Sequence, residues 1–187
     1  MDPKVFVISG PSGAGKGTLT AELLKRVPSL TRSVSATTRK PRTGEVDGTD
    51  YFFMSEAEFG KHIENDDFLE WAVVHGNRYG TLKSTIKKEL SEGRDVVLVI
   101  DVQGATSVKE KMPEAVRIFI EPPSVEELAK RLKLRDTETE AELARRLKNA
   151  EMEMLLAKTY DYVVINDDIN RAASELVEVV QAERSKN

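Results

Sequence analysis

Residues 5–18 read Val-Phe-Val-Ile-Ser-Gly-Pro-Ser-Gly-Ala-Gly-Lys-Gly-Thr, and their order decides the fold. Val5 to Ile8 is a short apolar run rich in β-branched residues, the pattern of a buried strand, and Gly10, Pro11, Gly13 and Gly15 end it abruptly. A helix is expected at once, because Leu19, Leu23 and Val27 recur on one helical face. Gly10, four residues, Gly15 and Lys16 have the spacing of a phosphate-binding loop. In such a loop the backbone N–H groups curl around phosphate oxygens, the lysine reaches the β and γ phosphates, and the helix N-terminus adds its positive end. A glycine-rich turn that binds nothing is the plainer alternative, and the strand-loop-helix setting argues against it. Gly17 stands where a Ser or Thr hydroxyl normally meets Mg²⁺, with Thr18 one position later, so direct hydroxyl coordination of a metal is not expected.

Bulk composition narrows the setting. A chain of 187 residues, 40% hydrophobic and 32% charged, fits one globular domain with room for inserted flaps. With 28 basic against 32 acidic residues the net charge is −4, which argues against a protein that coats nucleic acid. Cysteine is absent, which excludes disulfides, thiolate catalysis and Cys-ligated metals. The apolar run Val96 to Ile100 is far too short to span a bilayer, and the N-terminus does not read as a secretion signal. A cytoplasmic enzyme with no membrane or nucleic-acid partner is therefore expected.

Outward from the loop, Thr31 to Arg42 carries Arg32, Arg39, Lys40 and Arg42 with no acid. That is either a solvated loop or, given the interleaved Ser33, Ser35, Thr37 and Thr38, an oxyanion-binding surface. Tyr51 to Tyr79 holds seven of the eleven aromatic residues, which points to a small β-rich subdomain with its own core. Tyr51 to Met54 and Phe68 to Val74 read as strands, and Ser55 with Glu58 as a capping box. His62 and His75 lack partners at metal-ligand spacing and read as structural or solvent-facing. Strand-helix alternation then resumes. Val96 to Ile100 has the continuous apolar character of a central parallel strand and ends in Asp101, at the edge where open α/β sheets bind ligands. Strands at Val116 to Ile120 and Tyr162 to Ile165 follow, with helices between and after them. Arg131, Arg135, Arg145 and Arg146 bracket an acidic, Thr-containing loop, and Thr139 with Glu142 caps the helix beyond. Such arginines are either a solvated face or the means of neutralising a transferring phosphoryl group.

A triphosphate loop with two appendages suggests transfer to a second bound substrate, with closure excluding water, rather than simple hydrolysis. At this point the chain resembles the guanylate kinase family along almost its whole length. The residues that carry the resemblance are Gly10 to Lys16, Ser33 to Phe53, Phe68-Leu-Glu70-Trp, Gly76 to Thr81, Ile100-Asp-Val-Gln-Gly104, Pro122-Pro-Ser and Val164-Ile-Asn-Asp-Asp168.

The resemblance implies an α/β fold: a parallel-sheet P-loop kinase core flanked by helices (1–34, 82–130 and 147–187), an inserted β-rich GMP-binding subdomain (35–81) and a helical lid (131–146). It implies ATP + GMP giving ADP + GDP with Mg²⁺. ATP would lie on Gly10, Ser12, Gly13, Ala14, Gly15, Lys16, Gly17, Thr18 and Asn166. The GMP phosphate would be held by Arg39, Arg42, Tyr51 and Tyr79, and the guanine read by Ser35, Glu70, Thr81 and Asp101. Asp101 would also serve the metal, through water. Arg131, Arg135 and Arg146 would be the lid arginines, joining Lys16 and Arg39 as catalytic groups.

The chemistry of the residue types agrees with this. Guanine presents adjacent N1–H and N2–H donors that one carboxylate can accept together, and arginines with phenols suit a dianionic phosphate. Besides Gly17, three positions depart from the family pattern: Leu134 and Asp136 flank Arg135 where glycines are frequent, and Val99 stands where a second acid is usual. A protein-interaction domain of the same fold would be expected to lose the lysine loop or the lid arginines, and both are present. A kinase for another nucleoside monophosphate is the other alternative.

Overall fold

The structure, a computed structural model, describes residues 2–74, 76–133 and 140–186. His75, Leu134, Arg135, Asp136 and Thr139 lie outside the described residues.

Val5–Ser9 forms β1, and its alternation builds both faces of the main sheet. Phe6 and Ile8 point to one side, Val5 and Val7 to the other. β1 pairs in parallel with β7 (Asp95–Val99) and β8 (Val116–Glu121). Outside these lie β2 (Leu30–Arg32) and β9 (Tyr162–Ile165), giving five parallel strands in the order β2-β7-β1-β8-β9. On the Phe6 face, α1 (Lys16–Arg26) and α7 (Ile169–Arg184) bury Leu19, Leu23, Ala172, Leu176 and Val180. On the Val5 face, α3 (Lys83–Ser91) and α4 (Val102–Lys111) bury Ile86, Ala105 and Val108. Each buried Leu, Ile or Val among these contributes about 1.5–3 kcal/mol, and a sheet covered on both faces suits a strand buried along its whole length such as β1. The strand order reverses at β1, so a crevice opens at its carboxyl end, where the glycine loop lies.

A second sheet, ordered β4-β3-β6-β5, consists of β3 (Ala36–Thr37), β4 (Phe52–Phe53), β5 (Phe68–Val74) and β6 (Asn77–Leu82). Its core is Ala36, Phe59, Phe68 and Leu82, with the Phe59 and Phe68 rings stacked 4.4 Å apart. Phe59 comes from α2 (Glu56–Glu64), whose capping box is complete: Glu58 N–H donates to Ser55 Oγ at 3.2 Å and Ser55 N–H to Glu58 Oε2 at 2.8 Å. Successive residues of β5 face opposite ways, so Phe68 joins this core while Leu69 packs into the main one. His62 Nδ1 lies 2.9 Å from Asp67 Oδ2 beside the Phe68 ring, a structural role. Above the main sheet, α5 (Val125–Lys133) and α6 (Glu140–Met154) pack through Leu128, Leu132, Leu143, Leu147 and Ala150. Positions 131 and 146, the bounds expected for the lid, fall inside these two helices.

Several elements differ from the sequence expectation. The strand expected over 96–100 runs Asp95–Val99, because Asp101 leaves the ladder to cap α4, its Oδ1 accepting Gly104 N–H at 2.8 Å. The strand expected over 51–54 shortens to Phe52–Phe53. β2, β3 and β6 are not marked in the sequence as strands; β2 is a three-residue edge at the start of the basic stretch, β3 lies inside that stretch, and β6 carries Arg78 and Gly80. Among the described residues no helix is long and apolar enough to cross a membrane.

Candidate active site

The glycine loop is shaped by what presses against it. Gly15 adopts φ +94° as the N-cap of α1, and a Cβ there would run into Asn166 Nδ2. Asn166 is 7% exposed and donates from Nδ2 to the Ala14 carbonyl at 2.7 Å, tying the loop to the end of β9. Arg131 Nη2 donates to the Asn166 carbonyl at 3.0 Å, and Arg146 Nη2 to Ser12 Oγ at 2.5 Å, so both helices α5 and α6 reach the loop. Lys16 Nζ lies over the loop, 2.6 Å from the Gly10 carbonyl and 3.0 Å from that of Pro11. No acid occupies the first turn of α1, so its positive end is open to an anion.

Two clefts flank this loop. One, of about 390 Å³, includes Gly10, Ser12 and Lys16 on one wall and Ser35, Tyr51, Glu70, Tyr79 and Asp101 on the others. The second, of about 350 Å³, is lined by Gly13, Gly15, Thr18, Arg131, Asn166, Asp167 and Ile169. A wider hollow of about 490 Å³, lined mainly by Leu69, Ile86, Leu90 and Met112, touches none of the loop and carries no convergent polar groups.

Glu70 is the dominant group of the first cleft. It is 4% exposed, and Thr81, its neighbour across β5 and β6, donates from Oγ1 to Oε1 at 2.6 Å. Burial pushes its carboxyl up to about 7, with the Thr81 hydrogen bond opposing and the Asp101 charge adding. Room for it is made by Gly104 of α4: a Cβ there would stand 2.5 Å from Glu70 Oε2. Thr81 is fully buried behind Glu70 rather than on the cleft wall, and its hydroxyl proton is used on that carboxylate.

Arg39 lies just outside the cleft lining, its guanidinium 5.4 Å from the ring of Tyr51, which lines the cleft, and 5.8 Å from that of Phe53. Tyr51 and Tyr79 meet edge to face at 6.0 Å. Glu45, which sequence reading did not single out, fixes this arginine: its Oε1 accepts from Arg39 Nη2 at 2.8 Å and its Oε2 from Arg42 N–H at 2.7 Å. The Arg39 guanidinium holds the Glu45 carboxyl below its ordinary range and is itself held firmly protonated. Of the hydroxyls expected to form an oxyanion surface, Ser35 lines the cleft. The other three are structural: Thr37 Oγ1 donates to the Arg78 carbonyl at 2.9 Å, Thr38 Oγ1 accepts Arg78 N–H at 3.0 Å, and Ser33 lies beside Thr85 at 3.4 Å. The Arg42 side chain is exposed and outside the cleft lining.

A buried acid, and an arginine set against a tyrosine of the same cleft, thus lie on one side of the glycine loop. The family model for guanylate kinase matches residues 2–183. The chain belongs to the guanylate kinase family. The guanylate kinase of Caldanaerobacter subterraneus subsp. tengcongensis is 54% identical over 182 residues, covering 97% of this chain and 88% of that protein. That of Thermotoga maritima is 48% identical over 186 residues, covering 100% and 90%. The crystal structure of guanylate kinase from Anaplasma phagocytophilum superposes with a TM-score of 0.80 at 36% identity, covering 97% of this chain and 86% of that one.

As a guanylate kinase family member the chain brings Lys16, Arg39, Tyr51, Glu70, Tyr79 and Asp101 together, with Arg131 and Arg146 at the loop. Arg135, the remaining arginine of the set, lies outside the described residues. Val99, Ile100 and Asp101 all line the first cleft, because the chain leaves β7 after Val99 and turns into α4 there. Sequence reading missed Asn149 and Glu153 of α6, which line it too; their spacing from Arg146, three and seven residues, was the available signal.

Proposed function

We infer that this chain transfers the γ-phosphoryl group of ATP to GMP, giving ADP and GDP, with GMP in the cleft of Glu70 and ATP reaching the loop from the cleft of Asn166. The observation that carries the reading is the pair of clefts meeting at one glycine loop, one of them holding a buried carboxylate. Glu70 accepts guanine N1–H and N2–H, Ser35 serves the same base, and Thr81 acts through Glu70 by fixing its carboxylate. Arg39, Tyr51 and Tyr79 hold the GMP phosphate, and Arg42, whose backbone is tied to Glu45 beside Arg39, swings in to join them. On the ATP side Gly10, Ser12, Gly13, Ala14, Gly15, Gly17 and Thr18 offer the loop's N–H and hydroxyl groups, and Asn166 borders the nucleoside cleft.

Phosphoryl transfer asks the protein for alignment and charge neutralisation more than for covalent chemistry. Lys16 leaves the Gly10 and Pro11 carbonyls for the β and γ phosphates, and Arg146, already on the loop at Ser12, meets the equatorial oxygens. Arg131 and Arg135 complete that charge, and closure of α5 and α6 over the loop excludes water.

The residues present fit Mg²⁺. Asp101 uses Oδ1 on Gly104 and keeps its second oxygen for a metal-bound water, and the space beside Gly17 is open to others. Among the described residues no group of three acids or histidines forms a cage, which suits a cation held by phosphates and water. Bound there, Mg²⁺ would supply neutralisation of phosphate charge. The expected location is the cytoplasm, with these nucleotides as the partners.

The test is turnover with ATP, Mg²⁺ and each of GMP, dGMP, AMP and UMP. GDP and ADP should appear in equal amounts with GMP, and AMP and UMP should react at least 100-fold less efficiently, about 3 kcal/mol of discrimination. ATP hydrolysis without GDP, or equal use of AMP, would overturn the reading.

A further inference from the structure

An acid on the wall of an anion-binding cleft needs a reason. Glu153 lines the cleft of Lys16 and Asp101, yet it comes from α6, the helix that carries Arg146 to the loop. Residues 146, 149 and 153 are spaced i, i+3 and i+7, so Arg146, Asn149 and Glu153 share one face, with the arginine and the acid about 10 Å apart along the axis. The adjoining stripe of α6, Leu143, Leu147 and Ala150, is taken up by packing on α5. One helix thus presents to the phosphate loop a cation at one end and an anion at the other.

The surroundings of Glu153 make its charge unfavourable without a further cation. It is half-buried, burial raises its carboxyl above the ordinary range, Lys16 pulls it back, and Asp101 across the cleft raises it again. Tyr160 and Ser9 lie behind it: the Tyr160 hydroxyl is also raised by burial and lies in the field of both Asp101 and Glu153. A triphosphate entering beside two carboxylates would meet like charge. The arrangement makes sense where a divalent cation travels with the phosphates, because such a cation keeps several waters and takes one or two carboxylates in addition to phosphate oxygens.

We propose that Glu153 is a positioning residue for that cation: with Asp101 it holds the metal's water shell across the cleft from Lys16. Because Arg146 and Glu153 share a helix face, the docking of α6 that brings the arginine to the phosphates brings the acid to the metal. The proposal rests on the phosphoryl-transfer reading above and assigns a part of it to α6.

The test uses the whole chain loaded with ADP and GMP, which cannot react, and titrates Mn²⁺ by electron paramagnetic resonance. Glu153→Gln should weaken Mn²⁺ about tenfold in this complex, in the range for residues acting through a metal's outer shell, while ADP affinity without metal stays equal or becomes tighter. In turnover, the Mg²⁺ concentration for half-maximal rate should rise by the same factor, with the rate at saturating Mg²⁺ within about threefold of the parent. Glu151→Gln, an exposed neighbour on the same helix, should leave Mn²⁺ binding unchanged. Equal Mn²⁺ affinity in parent and Glu153→Gln overturns the proposal, and so does an equal shift in Glu151→Gln, which would make the effect one of overall helix charge. Failure of the parent to bind Mn²⁺ with ADP and GMP would instead overturn the phosphoryl-transfer reading itself.

Discussion

The cleft on the Glu70 side of the loop takes one wall from a separate sheet and includes the buried Glu70, whereas the cleft on the Asn166 side is lined by Gly13, Gly15 and Thr18 of the loop and α1 and by Arg131, Asn166, Asp167 and Ile169. The difference is one of desolvation. The Glu70 cleft contains an acid 4% exposed whose carboxyl is pushed up to about 7, a cost in the free protein that only matching donors can offset. The Asn166 cleft presents groups already satisfied inside the protein, such as the Asn166 amide on Ala14. On the reading proposed above, the Glu70 side would discriminate among acceptor bases more sharply than the Asn166 side discriminates among donors.

The largest effect should come from the element both clefts share. Lys16→Ala should lower kcat about 10²–10³-fold, the usual loss for one preorganised charge at a transferring group, with the GMP dissociation constant within about threefold of the parent. Retention of more than half the activity would show that the loop does not act on the triphosphate.

Glu70→Gln should separate the two sides. It keeps the shape but puts a donor opposite a donor, a buried mismatch of about 1–3 kcal/mol, so kcat/KM for GMP should fall about 10–100-fold with little change in KM for ATP. The pH dependence sharpens this. The carboxyl is raised from 4.5 to about 7, so GMP binding that needs the carboxylate should weaken about tenfold per unit below pH 7 and level off above it. The second ionisation of the GMP phosphate, near about 6, acts in parent and variant alike, so their ratio isolates Glu70. Stability runs the other way. Between about 4.5 and 7 the native state binds the extra proton, so stability falls as pH rises through that window, by up to about 3 kcal/mol. Glu70→Gln should therefore melt several degrees higher than the parent at pH 8 and show little difference near pH 4.5. An equal loss toward both substrates, with no such stabilisation, would make Glu70 a structural residue.

What was legible in the sequence follows the same division. Lys16 and the loop glycines announce themselves because a strand, a loop and a helix are contiguous there, and Phe68–Val74 and Tyr162–Ile165 run with the bounds their apolar pattern predicts. β2 and β6 are fixed by partners far along the chain, β7 for one and β3 and β5 for the other, so no local period marks them. Thr37 and Thr38 looked like anion-binding hydroxyls, but Arg78, forty residues on, claims both. Glu45 and Glu153 escaped notice because an acid in a phosphate site has no signature of its own; only the bond from Arg39 to one and the field of Lys16 at the other mark them.

The smallest effect expected is at Gly104, and it is the one that touches a single cleft by geometry alone. Gly104 is the third residue of α4, where alanine would ordinarily stabilise the helix by about 0.5–1 kcal/mol. A Cβ would stand 2.5 Å from Glu70 Oε2, 3.1 Å from its Cδ and 3.3 Å from Asp101 Oδ1. Glu70 has little freedom to move away, since Thr81 holds its other oxygen at 2.6 Å and the residue is buried between β6 and α4. The added methyl therefore displaces the carboxylate by a fraction of an ångström and crowds the Asp101 cap. Strain of this kind, about 1–3 kcal/mol in a packed site, is partly offset by the helix propensity gained. Gly104→Ala should thus raise KM for GMP about three- to tenfold, leave KM for ATP unchanged, and shift the melting temperature by no more than a few degrees. If KM for ATP rose as much as that for GMP, α4 would be serving both clefts, and the contrast between them would fail at this helix.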